Sequence, residues 1–293
     1  MHANAMCMSC MLSRQEKQIR QFKDDEKKSE YMHQVLGILY DYGQTKSSPY
    51  LAEQMNLLSK KYWGSLEDFT PIKHKYNQLL LAKESEIKEK ISKEADPIKE
   101  SIKYVCAANY IDFSAVENVN ETTFEMLMKK AEDEVVPKEE YAKFREDLEE
   151  ADSLIYLTDN CGEIVLDKLF VEFIKEAYPN LKITVIVRGE NVINDATMED
   201  AVEVGLTEVV PCVGNGNAAP GTVPERLSEE AKHLLSNADV IISKGQGNFE
   251  SMYDEGFNPY YMFLCKCELF VHRFGLKRYE SVFRKEERIS ILQ

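Results

Sequence analysis

The chain has 293 residues, 44% of them hydrophobic and 30% charged, with a formal net charge of −15 at pH 7. That hydrophobic share can build a sizeable core and excludes global disorder. The acidic balance excludes a general nucleic-acid binder, which needs a basic face, but not an anionic ligand, because a bound metal ion inverts the local field.

The first segment, "MHANAMCMSCMLSRQEK", has no sustained apolar stretch before its charges, so no signal peptide is expected. No apolar run reaches the ~18 residues of a membrane span. There are seven cysteines, Cys7, Cys10, Cys106, Cys161, Cys212, Cys265 and Cys267. An odd count without a signal favours the reducing cytoplasm over a disulfide scaffold.

Residues 13 to about 150 read as helical. "EKKSEYMHQVLGILYDYG" places Tyr31, Val35, Ile38, Leu39 and Tyr42 on one face. "SSPYLAEQMNLLSKKYWG" has a serine cap, Pro49 near its first helical position and Gly64 as a stop. "TPIKHKYNQLLLAKESEIKEKISKEAD" is a longer helical pattern that Pro97 breaks, and "NETTFEMLMKKAEDE" and "PKEEYAKFREDLEEA" follow. The charge runs here read as solvated helix faces.

From Ser153 short apolar runs alternate with helical patterns, which divides the chain into a helical region, 1–150, and an α/β region, 151–293. Strands are expected at 153–158, 182–188, 208–212, 239–243 and 267–274, and helices near 163–177, 196–204, 224–236 and 258–265. Such alternation implies a mostly parallel sheet covered on both faces.

Ligands of such sheets bind beyond the carboxyl ends of the strands. Asp159, Asn160 and Glu163 follow the first strand; Arg188, Asn191, Asn194 and Asp195 follow the second. The loop "VGNGNAAPGTVPE" follows the third, and Lys244, Gly245 and Asn248 follow the fourth, in "KGQGNFES". Taken singly, Asn160-x-x-Glu163 is close to a capping box, Asp195 is a candidate helix cap, and Lys244 is an ordinary exposed lysine. Together, two carboxylates and an amide make a set of hard oxygen ligands of the kind Mg²⁺ or Mn²⁺ takes. A glycine-flanked lysine on the same rim suits phosphate. There is no GxxxxGK[ST], HExxH or GxSxG motif, and "GQGNFE" lacks the third glycine of a dinucleotide fingerprint. The order Asp-Asn-Cys after the first strand departs from the Asp-x-Asp of aspartyl-phosphate phosphatases.

In "TDNCGE", "RGENVINDAT", "APGT" and "SKGQGNFES" the chain resembles the metal-dependent damage-control phosphatases, long catalogued as domain of unknown function 89. "AANYIDF" (107–113) resembles the family's Gly-Asn-x-x-Asp block with Ala108 in place of the glycine; "CMSC" and the Lys266-Cys267 pair resemble its branch with an N-terminal CxxC. The resemblance implies a Rossmann-like three-layer α/β/α core joined to an N-terminal helical region. It implies a divalent metal (Mg²⁺, Mn²⁺, Co²⁺ or Ni²⁺) held by Asp159, Asn160 and Asp195, and a substrate phosphate contacted by Lys244. It also implies hydrolysis of small phosphorylated metabolites, with no nucleic acid or membrane as partner. Glu163, Arg188, Asn194, Gly245 and Asn248 are taken as substrate-binding residues on the same rim. Asn109 and Asp112 reach over from the helical half, or serve as plain turn residues.

A carboxyl methyltransferase using S-adenosylmethionine is the rival enzyme, and a non-catalytic binder of phosphometabolites the rival outside enzymes. Cys7-Met8-Ser9-Cys10 has the spacing of half a zinc site. With Cys267 it could form a small metal or structural thiol cluster; the plainer alternative is an N-terminus with incidental cysteines. Cys161 reads as a small packing residue.

Overall fold

The computed structural model describes residues 1–64, 68–109 and 121–290. Among the described residues, eight helices precede the sheet: α1 (Ala5–Ile19), α2 (Asp25–Tyr42), α3 (Ser48–Trp63), α4 (Thr70–Leu81), α5 (Glu84–Ser92), α6 (Pro97–Ala108), α7 (Glu121–Asp133) and α8 (Lys138–Glu150). The strands are β1 (Ser153–Leu157), β2 (Lys182–Val187), β3 (Cys212–Gly214), β4 (Val240–Lys244), β5 (Tyr260–Leu264) and β6 (Ser281–Lys285). Between them run α9 (Glu163–Ala177), α10 (Met198–Glu203), α11 (Leu206–Val209), α12 (Glu229–Ser236), α13 (Gln246–Met252) and α14 (Glu268–Phe274).

The sheet order is β3-β2-β1-β4-β5-β6, with β6 antiparallel to β5 and the other neighbours parallel. The chain winds outward from β1 to β3, crosses back, and resumes at β4 on the other side of β1. The reversal opens a crevice between the carboxyl ends of β1 and β4, the usual place for a ligand in a doubly wound sheet.

Strand side chains alternate between two cores, as a period of two requires. Leu154, Tyr156, Val185, Val187, Ile242 and Met262 face the cluster that contains α9. Ile155, Leu157, Ile186, Ile241, Tyr261 and Phe263 face a second cluster built with α12, α13 and α14. The three layers expected from the alternation are therefore present. Helices α4, α5, α6 and α8 add Tyr76, Ile87, Ile102 and Phe144 to the first cluster, so helical region and sheet share one core.

Helices α1, α2 and α3 form a satellite cluster around Ile19, Tyr31, Val35 and Met55. Ile38 and Leu39 pack against it, while Tyr42 is exposed and meets Tyr50 edge-on. Pro49 lies in the first turn of α3, and Gly64 ends it at φ +79°. Helix formation starts at Ala5, with Asn4 accepting from the amide of Cys7, rather than at residue 13. Pro97 does not break a long helix; it opens α6 behind the Asp96 cap, and the pattern upstream is two helices, α4 and α5.

The C-terminal assignments are exchanged. Residues 258–265, expected as a helix, hold strand β5, and 267–274, expected as a strand, form α14. Tyr260–Leu264 is buried on every side, so its apolar run has no period to read. In α14, Leu269 and Phe270 are buried with Val271 and Phe274 packed beside them, and Gly275 ends the helix in a left-handed conformation at φ +61°. The expected strand at 208–212 is displaced as well: Leu206–Val209 is a helical turn, and β3 begins at Cys212.

Candidate active site

Each polar side chain of the crevice is fixed by the element that delivers it. Strand β1 ends at Leu157, and the backbone then makes an antiparallel bridge between Asn160 and Asp195. Two bonds accompany it, Cys161 N–H to the Asn194 carbonyl at 2.8 Å and Ala196 N–H to the Asp159 carbonyl at 2.8 Å. The loops after β1 and β2 are thus stitched together, which brings Asp159, Asn160, Asn194 and Asp195 into one group.

Gly162 turns the chain into α9 at φ +69°, so Glu163 heads that helix and points back at the site. Gly245, at φ +81°, does the same after β4. A Cβ on Gly245 would fall 2.1 Å from the Asp159 carboxylate, so Asp159 rests directly against its Cα. Only glycine meets both demands.

The carboxylates are held by amides. Asp159 Oδ2 accepts from Asn109 Nδ2 at 2.9 Å and from Asn160 Nδ2 at 2.8 Å. Both amides also donate to Glu163. Asn109 lies at the end of α6, and its Oδ1 accepts from the Leu264 amide at 3.1 Å, which ties the helical region to β5 at this point. Asn194 donates to Asn160 Oδ1 at 2.7 Å.

Two buried cations face these acids. Arg188 bonds Asp195 through Nε and Asn248 through Nη1, and its Nη2 stands 3.6 Å from Asp159 Oδ1. Nη2 is buried without a hydrogen bond. Lys244 is fully buried and ion-paired with both Glu163 and Asp167. Asp167 also accepts from the Tyr156 hydroxyl at 2.5 Å.

Asp159, Glu163, Asp167 and Asp195 crowd four carboxylates around two directly paired cations, Arg188 and Lys244, with Lys266 and Lys73 acting on Asp159 and Asp195 from further off. The imbalance is felt: burial, then the charges of Glu163 and Asp195, push the Asp159 carboxyl up to about 7. Burial also raises Asp195, against the pull of Arg188. Two crowded carboxylates beside an amide oxygen form a hard donor set with an unmet need for positive charge. That fits a divalent cation at Asp159, Asn160 and Asp195.

A family model, the damage-control phosphatase ARMT1-like domain, matches residues 3–282. The chain belongs to the damage-control phosphatase family. It is 28% identical to a damage-control phosphatase of Archaeoglobus fulgidus, over 92% of this chain and 93% of that protein. It is 29% identical to a damage-control phosphatase of Pyrococcus horikoshii over 66% of this chain and 65% of the relative. In fold it matches the crystal structure of a DUF89 family protein from Pyrococcus horikoshii, with a TM-score of 0.84 and 24% identity over 98% of this chain and 99% of that one.

Within this damage-control phosphatase fold, Asp159, Asn160, Glu163, Asn194, Asp195, Asn109, Arg188, Lys244, Gly245 and Asn248 do converge. Three differ from expectation in orientation. Lys244 is not an open cation on the rim but lies beneath Glu163. Arg188 is turned inward, 2% exposed, and serves as counter-ion to Asp195. Asn248 is fully buried: it accepts from Arg188 and Thr222 and donates to the Thr158 and Lys244 carbonyls. Asp112 lies outside the described residues.

The thiol cluster of Cys7, Cys10 and Cys267 is not formed. Cys7 and Cys267 pack against the second core, whereas Cys10 is exposed. Among the described residues no three His, Cys, Asp or Glu side chains stand as a metal-holding group. Cys161 is buried in the first core, as a packing residue should be.

Three site residues went unread. Asp167 stands four residues after Glu163, one helical turn on the same face of α9, a spacing that could have marked it. Thr222 lies in "APGT" and bonds Asn248 at 2.9 Å. Lys266 follows β5, half-buried, and its charge helps to draw the Asp159 carboxyl down. It was hidden because the strand before it read as a helix.

Proposed function

We propose that this chain is a divalent-metal-dependent phosphomonoesterase acting on small phosphorylated metabolites. Asp159, Asn160 and Asp195 would hold the ion. The observation that carries the reading is the surplus of buried carboxylate at the switch point of the sheet, which pushes Asp159 up to about 7. The two curated relatives described above, named as damage-control phosphatases, support it.

When bound, the ion supplies Lewis-acid polarisation of the phosphoryl group. The protein's own residues do the rest. Asn109 and Asn160 fix the rotamer of Asp159, so no reorganisation is needed as charge develops. Lys266, half-buried just after β5 and near enough for its charge to act on Asp159, would neutralise charge on the phosphoryl oxygens. Lys244 acts from behind, paired with both Glu163 and Asp167, and so holds Glu163 in place as acceptor for the two amides. Arg188 keeps Asp195 aimed.

The test is phosphate release from a panel of phosphorylated metabolites with Mg²⁺, Mn²⁺, Co²⁺ or Ni²⁺, before and after chelation. Turnover should need the added ion and disappear in Asp159→Ala. Chelator-resistant turnover would refute the metal assignment; methyl transfer from S-adenosylmethionine without phosphate release would refute the reaction class.

A further inference from the structure

Helix α4 touches both loops that carry the candidate ligands. Asn77, fully buried, accepts from the Gly162 amide through Oδ1 at 2.6 Å. Its Nδ2 donates to Asp200 at 2.9 Å and to Glu203 at 2.7 Å. The left-handed turn at Gly162 also lies against α4 itself: a Cβ there would stand 3.2 Å from the Cβ of Tyr76. One helical turn earlier, Lys73 reaches the other loop. Its Nζ stands 2.7 Å from Asp200 Oδ2, 3.2 Å from Asn191 Oδ1 and 3.4 Å from Thr197 Oγ1. Asp200 in turn accepts from both the amide and the hydroxyl of Thr197 at 2.8 Å.

We propose that α4 is a clamp setting the loop 159–163 against the loop 191–200, with Asn77 and Lys73 as positioning residues for Asp159, Asn160 and Asp195. The proposal rests on the reading of those three as ligands. The amide of Gly162 sits at a helix start, where backbone donors lack partners in their own helix, and Asn77 satisfies it from outside the sheet unit. Lys73 and Asp200 are each about 5% exposed, 5% and 4% by side chain. A buried pair of this kind returns little net stability, because desolvation offsets the attraction. What it fixes is where Thr197, and hence Asp195, can lie. Ion ligation demands that two strand-end loops keep one separation, and α4 is the element that bonds to both.

The experiment measures Mn²⁺ binding by calorimetry, without substrate, in wild type and in Asn77→Ala, Lys73→Met and Gln78→Ala. Gln78 bonds Glu203 from the same helix but reaches neither loop. Asn77→Ala and Lys73→Met should weaken Mn²⁺ binding at least about tenfold, the usual effect of removing a group that orients a ligand. Gln78→Ala should leave affinity unaltered. If Asn77→Ala fails to fold, Asn77→Ser carries the same comparison. Folded Asn77 and Lys73 variants with wild-type Mn²⁺ affinity overturn the clamp. A wild-type chain that binds no divalent ion overturns the reading beneath it, and the clamp with it.

Discussion

At the residue scale, two lysines near one crevice have different work. Lys244 has no exposed surface and two carboxylate partners; Lys266 is half-buried just after β5. Replacing Lys244 by Met strands Glu163 and Asp167 without a cation, and breaking a buried pair in this way costs about 3–5 kcal/mol. Lys244→Met should therefore lower the urea midpoint sharply. Lys266→Ala should leave the midpoint near wild type, raise KM for a phosphoester and lower kcat, by about 2–4 kcal/mol in kcat/KM. The opposite pattern would return the phosphate contact to Lys244. Asp167 gives a pH signature. Burial raises its carboxyl to about 6, with Lys244 pulling against that and Glu163 adding to it. The fold therefore favours its protonated form. Its contribution to stability is complete below the ordinary carboxylate pKa and is lost as pH rises through about 6. In Asp167→Asn that loss should vanish, so chelated variant protein should show a flatter change in urea midpoint between pH 4.5 and 6.5. Equal slopes would show that Asp167 titrates elsewhere.

At the element scale, turns decide the site. Gly245→Ala places a methyl where the Asp159 carboxylate lies and also forces an unfavourable φ. It should abolish phosphate release while far-ultraviolet circular dichroism stays close to wild type, since the strain is confined to one turn. Retained turnover would show that Asp159 need not occupy its present place. The strand ends β1, β2 and β4 were legible in the sequence because β-branched runs stop abruptly at Asp, Arg or Lys before a glycine or a helical period. The C-terminal elements were not. Tyr260–Leu264 lacks alternation because both its faces are covered, and Cys267–Phe274 is aromatic and β-branched enough to pass for a strand. Gly275 was the readable stop. Which polar residues gather could be read from strand ends, but how they orient could not. Lys244 looks the same in sequence whether it faces solvent or two acids, and the acid that decides it, Asp167, lies inside an apolar helix.

At the scale of the whole molecule, helical region and sheet are joined by one core that runs from Tyr76 and Ile102 through α9 to Phe283. Residues 151–290 alone would expose the apolar face that α4, α6 and α8 cover. That fragment should lack cooperative thermal unfolding and should not bind Mn²⁺; a fragment that melts cooperatively would show the sheet unit to be self-sufficient. The long reach of the site bonds has a further consequence, in time rather than space. Asn77 meets Gly162 across 85 residues, Lys244 meets Glu163 across 81, and Asn109 meets Leu264 across 155. Contacts of such separation form late, since closing long loops comes before any gain from them. During synthesis Asn77 and Asn109 leave the ribosome well before β5 exists. A chain that still lacks β5 lacks the Leu264 amide from which Asn109 accepts, so the candidate site stays incomplete until that strand is in place.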